Sequence, residues 1–169
     1  MRVYLIGYMG SGKTRFGTEL SLRTGYLFID TDELFEEKYR ISIADFFDKY
    51  NEETFRKIEM EILRDTIKYP DAIIATGGGT PCFYDNMAFI RNNGISIYLK
   101  MPIPLLVDRL TAVRKKRPLL KDLSLMDMES YICKQIPERE EFYCQADFVV
   151  DAEIITANEI IRIISTWSA

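Results

Sequence analysis

The chain contains no histidine at all. That single absence excludes Ser-His-Asp and Cys-His nucleophilic machinery together with every histidine-ligated metal centre, so any proton transfer must use Asp, Glu, Lys or Tyr. Cysteine is scarce: Cys82, Cys133 and Cys144 show no CxxC spacing, and they read as free thiols in a reducing compartment. No apolar run approaches the roughly 20 residues needed to cross a bilayer, and the first strand begins at once without a signal-peptide pattern. The expected location is therefore the cytoplasm, with no membrane partner. A basic excess is also missing, and a net charge of −4 argues against nucleic acid as a main partner. What remains is a chain of 169 residues, long enough for one domain with its own apolar core and expected as a monomer.

Short apolar runs alternate with longer segments of helical period, the pattern of a parallel sheet covered by helices on both faces. Candidate strands are Arg2 to Ile6, Tyr26 to Ile29, Ala72 to Ala75, Ile95 to Leu99 and Phe148 to Val150. They predict a three-layer α/β fold with one five-stranded parallel sheet. Helices are expected over Lys13 to Arg23, from a capping box at Ser42-Ile43-Ala44-Asp45, over Glu52 to Lys68 and over Pro102 to Val113. Another is expected to start at Ser124, with Asp127 completing its cap, and to end or bend near Pro137. Residues 31–60 are read as a helical acceptor-binding region, and about 112–124 as a lid.

The strongest motif is Gly7-Tyr8-Met9-Gly10-Ser11-Gly12-Lys13-Thr14, which matches G-x-x-x-x-G-K-[ST] directly after an apolar strand and directly before a helix. Such a loop turns backbone N–H groups inward around phosphates, which needs Gly10 and Gly12 to take unusual dihedrals, while Ser11 sits between them in the cradle. Lys13 would reach the β- and γ-phosphates of ATP, and the Thr14 hydroxyl would ligate Mg²⁺. Asp30 and Asp32 follow the second strand, at the sheet edge where open α/β folds bind ligands. One suits the metal and the other an attacking hydroxyl, and Asp30 is the natural metal candidate because the third strand ends without an acid. The plainer reading of Asp32 is a charge complementing a helix N-terminus.

Three further stretches are weaker alone. Arg56 and Glu59 share a helical face and could be an exposed ion pair. Gly77, Gly78 and Gly79 follow the third strand, where three glycines permit close backbone approach to a ligand. Arg114-Lys115-Lys116-Arg117 precedes Pro118 and fits a lid whose Arg117 closes over a transferring phosphoryl group, although a solvated basic surface has the same composition.

In order and spacing, GYMGSGKT, DTD at 30 to 32, FRKIE at 55 to 59, GGGT at 77 to 80, RPLL at 117 to 120 and the RxxFY run from Arg139 resemble shikimate kinase. The resemblance implies a nucleoside-monophosphate-kinase-like fold that phosphorylates the 3-hydroxyl of shikimate, using ATP with Mg²⁺, in aromatic amino-acid biosynthesis. It further implies that Asp32 bonds the acceptor hydroxyls, that Arg56 and Arg139 clamp its carboxylate, and that the Gly77 to Gly79 backbone passes beside the ring. Phe47 and Phe55 would wall the pocket, Glu59 would position Arg56, Arg117 would contact phosphate from the lid, and Arg109 would lie near adenine. One departure is that Glu141 stands where the family usually has proline, two residues after Arg139.

The rival readings are another small-molecule kinase, of gluconate or nucleotide type, and a GTPase-like switch. The switch would be expected to carry an N-K-x-D guanine-reading element, which this sequence lacks. A basic nucleic-acid module built on residues 114–117 would bind with steep salt dependence.

Overall fold

The computed structural model describes residues 1–113 and 125–167. Among them are the five strands the sequence predicts and eight α-helices, of which α2, α5 and α8 are not among those expected: β1 (Arg2–Ile6), α1 (Lys13–Thr24), β2 (Leu27–Asp30), α2 (Thr31–Tyr39), α3 (Ile43–Lys49), α4 (Glu52–Asp65) and β3 (Ala72–Ala75). Then come α5 (Asn86–Asn93), β4 (Ile95–Lys100), α6 (Ile103–Val113), α7 (Leu125–Tyr143), β5 (Phe148–Asp151) and α8 (Ala157–Trp167). The strands form one sheet in the order β2-β3-β1-β4-β5, and every neighbouring pair is parallel.

Burial explains which strands are central. Val3, Tyr4, Leu5 and Ile6 of β1 and Ile73 and Ile74 of β3 are fully buried, as expected when helices cover both faces and no polar side chain has water to reach. The edge strands β2 and β5 are only partly buried and hold fewer apolar residues inside. From β1 the chain moves to one side for β3 and β2 and to the other for β4 and β5, so the carboxyl end of β1 is a topological switch point. The phosphate loop starts there.

A second, smaller core lies apart from the sheet. Phe35 of α2, Phe46 of α3 and Phe55 and Ile62 of α4 are buried against one another, with Phe35 to Phe46 and Phe35 to Phe55 centroids 5.1 and 5.2 Å apart. This aromatic cluster fixes residues 31–62 as a unit at the edge of the sheet, where it presents α2 and α4 to the switch point.

Local signals place most helix ends. Ser42 caps α3, accepting from the Asp45 N–H at 3.0 Å and donating to the Asp45 carboxylate at 2.7 Å. Asn51 caps α4 in the same way through Thr54 N–H. The helix expected over Glu52 to Lys68 stops being α-helical at Asp65 and finishes as a 3₁₀ turn, Thr66–Lys68.

Of the two outcomes expected at Pro137, an end is excluded, since α7 continues through it to Tyr143. Proline there removes one backbone hydrogen bond and costs the helix about 3 kcal/mol. Side chains on either side offset that cost: Gln135 accepts from Tyr8, Glu140 accepts from Tyr98 and pairs with Lys100, and Tyr143 bonds Gly78. Ser124 and all but the first two residues of the expected lid lie outside the described residues.

Candidate active site

The phosphate loop joins β1 to α1 with the backbone its glycines permit. Gly10 and Gly12 have φ of 83° and 99°, in the left-handed region that other residues rarely adopt. Gly12 is the N-cap of α1 and offers no side chain, and the first turn of that helix holds no acid. The N–H groups of the turn and the positive end of the helix dipole are thereby left to an anion. Lys13 Nζ donates to the carbonyls of Gly7 at 2.8 Å and Tyr8 at 3.0 Å, which folds the ammonium back over the loop.

Asp30 ties this loop to the neighbouring strand. One carboxylate oxygen caps α2 by accepting from the Asp32 N–H at 3.0 Å, and the other accepts from the Thr14 hydroxyl at 3.0 Å. Thr14 and Asp30 thus form a hydroxyl-carboxylate pair of hard oxygen donors beside the cradle. No group of three or more Asp, Glu or Cys side chains able to hold a metal occurs among the described residues. A pair with so few protein ligands suits Mg²⁺, which keeps waters and substrate phosphates as its remaining ligands.

Across the cavity, Arg56 is almost buried on α4 and held from several directions. Its Nη1 donates to Glu59 at 2.8 Å, its Nη2 to Glu52 at 2.9 Å, and the Phe83 ring lies 4.1 Å from its Cζ. Glu59 in turn accepts from the Thr80 hydroxyl at 2.6 Å. The pair that spacing alone reads as an exposed ion pair is therefore buried and faces the cavity.

Arg139 reaches the same cavity from α7, with its Cζ 5.0 Å from the Tyr8 ring. Nearby ionisable groups feel these cations. Burial pushes the Cys82 thiol up to about 11, against the opposing pull of Arg139 and Arg56. Burial likewise pushes Tyr8 up to about 12, with Arg139 opposing.

The triglycine run shows why side chains are excluded there. A Cβ on Gly77 would fall 2.6 Å from Glu59 Oε1 and 2.8 Å from Asp32 Oδ1, and one on Gly79 would fall 2.6 Å from Arg56 Nη1. A Cβ on Gly78 would fall 3.3 Å from Met9 N and 3.5 Å from Arg139 Nη1. None of the three lies in the left-handed region, so close approach rather than dihedral freedom demands glycine. Together these groups border a cavity of about 690 Å³ that also takes in Lys13, Thr14, Asp30, Phe47 and Phe55. That size is ordinary for a small-molecule site.

The structure thus assembles Gly10, Gly12, Lys13, Thr14, Asp30, Asp32, Phe47, Phe55, Arg56, Glu59, the three glycines and Arg139 around one cavity. Ser11 is buried behind the loop rather than on the cavity wall, and Arg109 is exposed, donating to the Gly10 carbonyl at 3.1 Å. Arg117 lies outside the described residues. Several contributing residues are given no role of their own by the sequence, although Tyr8 and Thr31 stand inside its motifs. Thr31 accepts from the Gly77 N–H at 3.0 Å, Phe83 covers Arg56, and Tyr8 lies under Arg139. Only Tyr143, one turn beyond Arg139 on the same helix face, could have been picked out by spacing.

A parallel sheet whose first strand runs into a glycine-lined cradle, with a carboxylate-hydroxyl pair beside it and an acceptor cavity next to it, defines a phosphotransferase of the phosphate-loop class. Comparison with known proteins narrows the class. A family model described as shikimate kinase matches residues 9–167. A shikimate kinase of Azobacteroides pseudotrichonymphae is 42% identical over 162 residues, covering 95% of each chain. Among solved structures, shikimate kinase from Bacteroides thetaiotaomicron superposes with a TM-score of 0.88 at 30% identity, over 99% of this chain and 96% of that one. The shikimate complex of the Acinetobacter baumannii shikimate kinase gives the same score and identity over 98% and 93%. The chain belongs to the shikimate kinase family. Its activity is the ATP-dependent phosphorylation of shikimate, a step of aromatic amino-acid biosynthesis.

Proposed function

We propose that the residues gathered around this cavity divide the transfer of the ATP γ-phosphoryl group to the shikimate 3-hydroxyl as follows. The Gly10 to Thr14 turn holds the phosphates through its N–H groups, Ser11 contributing its backbone, and Lys13 swings from the Gly7 and Tyr8 carbonyls to the β- and γ-phosphates. Thr14 and Asp30 hold Mg²⁺, which supplies neutralisation of the triphosphate charge. Arg56 and Arg139 grip the shikimate carboxylate with planar guanidinium forks, a task a lysine would perform poorly. Glu59 keeps Arg56 in place, Phe47 and Phe55 wall the ring, and the Gly77 to Gly79 backbone passes beside it.

Asp32 accepts a hydrogen bond from the attacking hydroxyl and aims it. A carboxylate is a weak base toward an alcohol, but a loose transition state needs little proton removal before the oxygen attacks. Orientation is therefore its main contribution, with proton acceptance late. Arg117 caps the transferring group from the lid, and Arg109 lies beside the adenine. The enzyme works as a cytoplasmic monomer without nucleic-acid partners, and no helix among the described residues is long and apolar enough to cross a membrane.

The observation that most supports this reading is the convergence of Arg56 and Arg139, from helices remote in sequence, on the cavity beside the phosphate cradle. Acceptor-dependent ADP release tests it, with shikimate, gluconate, AMP and CMP compared and Arg139→Ala assayed beside the wild type. The expected result is stimulation by shikimate alone and a KM for shikimate raised by a few kcal/mol equivalent, about 2–4, in the variant with ATP affinity little changed. Stimulation by another acceptor in place of shikimate would overturn the substrate, and an unchanged shikimate KM in Arg139→Ala would overturn the clamp.

A further inference from the structure

Tyr143 is among the largest fully buried side chains, and its hydroxyl donates to the carbonyl of Gly78. It stands one turn after Arg139, so both side chains project from the same face of α7 toward the triglycine run. Arg139 Nη1 would lie 3.5 Å from a Cβ on Gly78, the same residue that Tyr143 bonds. The two side chains are close enough for the Arg139 charge to oppose the upward push that burial gives the Tyr143 hydroxyl. A phenol hydroxyl has one proton and two lone pairs. With its proton committed to the Gly78 carbonyl, it presents only lone pairs toward the neighbouring guanidinium.

The ring is fixed from behind. Its centroid lies 5.0 Å from that of Tyr98, whose own hydroxyl donates to Glu140 at 3.0 Å, and Lys100 pairs with Glu140 at 2.9 Å. The Tyr143 hydroxyl therefore has little freedom to move, which is what a support for another side chain requires.

We infer that Tyr143 is a positioning residue for the acceptor clamp, whose hydroxyl locks the Arg139 guanidinium and the Gly78 backbone into one fixed relation. This rests on the proposed role of Arg139 as a carboxylate clamp. It adds that the clamp is built in two layers, an arginine that touches the acceptor and a buried phenol that sets its angle. On the α4 side, Glu59 plays the equivalent part by holding both Arg56 and Thr80.

The test is a double-mutant cycle on the intact chain with Tyr143→Phe, Arg139→Ala and the combination, and with Tyr98→Phe as a control for helix anchoring. Phenylalanine keeps the ring, its burial and its contact with Tyr98, and removes only the hydroxyl. The expected result is a rise of about tenfold in the shikimate KM of Tyr143→Phe, the scale of one lost hydrogen bond to a charged group, with the ATP KM unchanged. In the Arg139→Ala background the same change should add less than about twofold, because the residue it positions is gone. Tyr98→Phe should lower the unfolding midpoint without raising the shikimate KM.

An unchanged shikimate KM in Tyr143→Phe overturns the inference, as does a full tenfold effect persisting without Arg139, or an equal rise in Tyr98→Phe. If Arg139→Ala itself leaves the shikimate KM unaltered, the clamp reading fails first. If Arg139→Ala raises it and Tyr143→Phe does not, the clamp stands and only the positioning role is lost.

Discussion

Adding one methyl group to Gly79 would test how tightly the acceptor side of the cavity is built. The position has φ of −90° and ψ of −18°, which alanine adopts without strain, so Gly79→Ala perturbs space and nothing else in the backbone. The new Cβ would fall 2.6, 2.8 and 2.9 Å from Nη1, Nη2 and Cζ of Arg56. Ordinary carbon contacts lie near ~3.5 Å, so the guanidinium must retreat by close to ~1 Å. A free arginine would do that at almost no cost, but this one is held by Glu59 at 2.8 Å, by Glu52 at 2.9 Å and by the Phe83 face.

Whichever contact yields, the clamp moves. Overpacking of this size costs about 1–3 kcal/mol, and a displacement of about 1 Å in a positioning group costs up to about 100-fold in function. The expected outcome is a shikimate KM raised about 10- to 100-fold with the ATP KM within about twofold of wild type, read from coupled ADP release. Gly25→Ala is the contrasting variant: its Cβ would meet nothing within 4 Å, but its φ of 75° strains alanine. That change should cost about 1 kcal/mol of stability and leave both KM values alone. A shikimate KM in Gly79→Ala within about twofold of wild type would refute the argument that glycine is required there by the arginine.

Two other measurements probe separate features. Asp30→Asn should keep the α2 cap, since asparagine caps as well as aspartate, while the Mg²⁺ concentration giving half-maximal activity rises by at least about tenfold from loss of the carboxylate; an unaltered Mg²⁺ requirement would remove Asp30 from the metal site. Alkylation by iodoacetamide near pH 8 should label the exposed Cys133 and Cys144 first, because burial pushes the Cys82 thiol up to about 11 and its thiolate forms only as pH nears that value. Peptide mapping reads the order, and equally fast labelling of Cys82 would contradict it.

Much of the architecture was legible in the chain because local physics and tertiary packing agree. Val3-Tyr4-Leu5-Ile6 can only be a strand buried on both faces, and the glycines after it can only be a turn with left-handed dihedrals, so the cradle is written in consecutive residues. Ser42 and Asp45 announce α3 in the same local way. Pro137 does not end its helix because tethers from Gln135, Glu140 and Tyr143 to other segments hold the chain helical beyond it. Asp30 caps α2 and the Thr156-Glu159 capping box opens α8 in the same local way, whereas α5 has no side-chain cap and tertiary contact fixes it.

The sequence alone therefore determined the phosphate cradle, the parallel layering and, through the order of its motifs, the family. Each is encoded by short stretches whose meaning does not depend on distant residues. Only the tertiary structure decided that Arg56 is buried rather than exposed, that Gly77 to Gly79 yield space to side chains rather than to a turn, that Phe83 covers Arg56 and that Thr31 accepts from the Gly77 N–H. Those facts depend on helices α2, α4 and α7 meeting at the carboxyl edge of the sheet, and contacts between segments so far apart in the chain leave no periodicity or spacing to read.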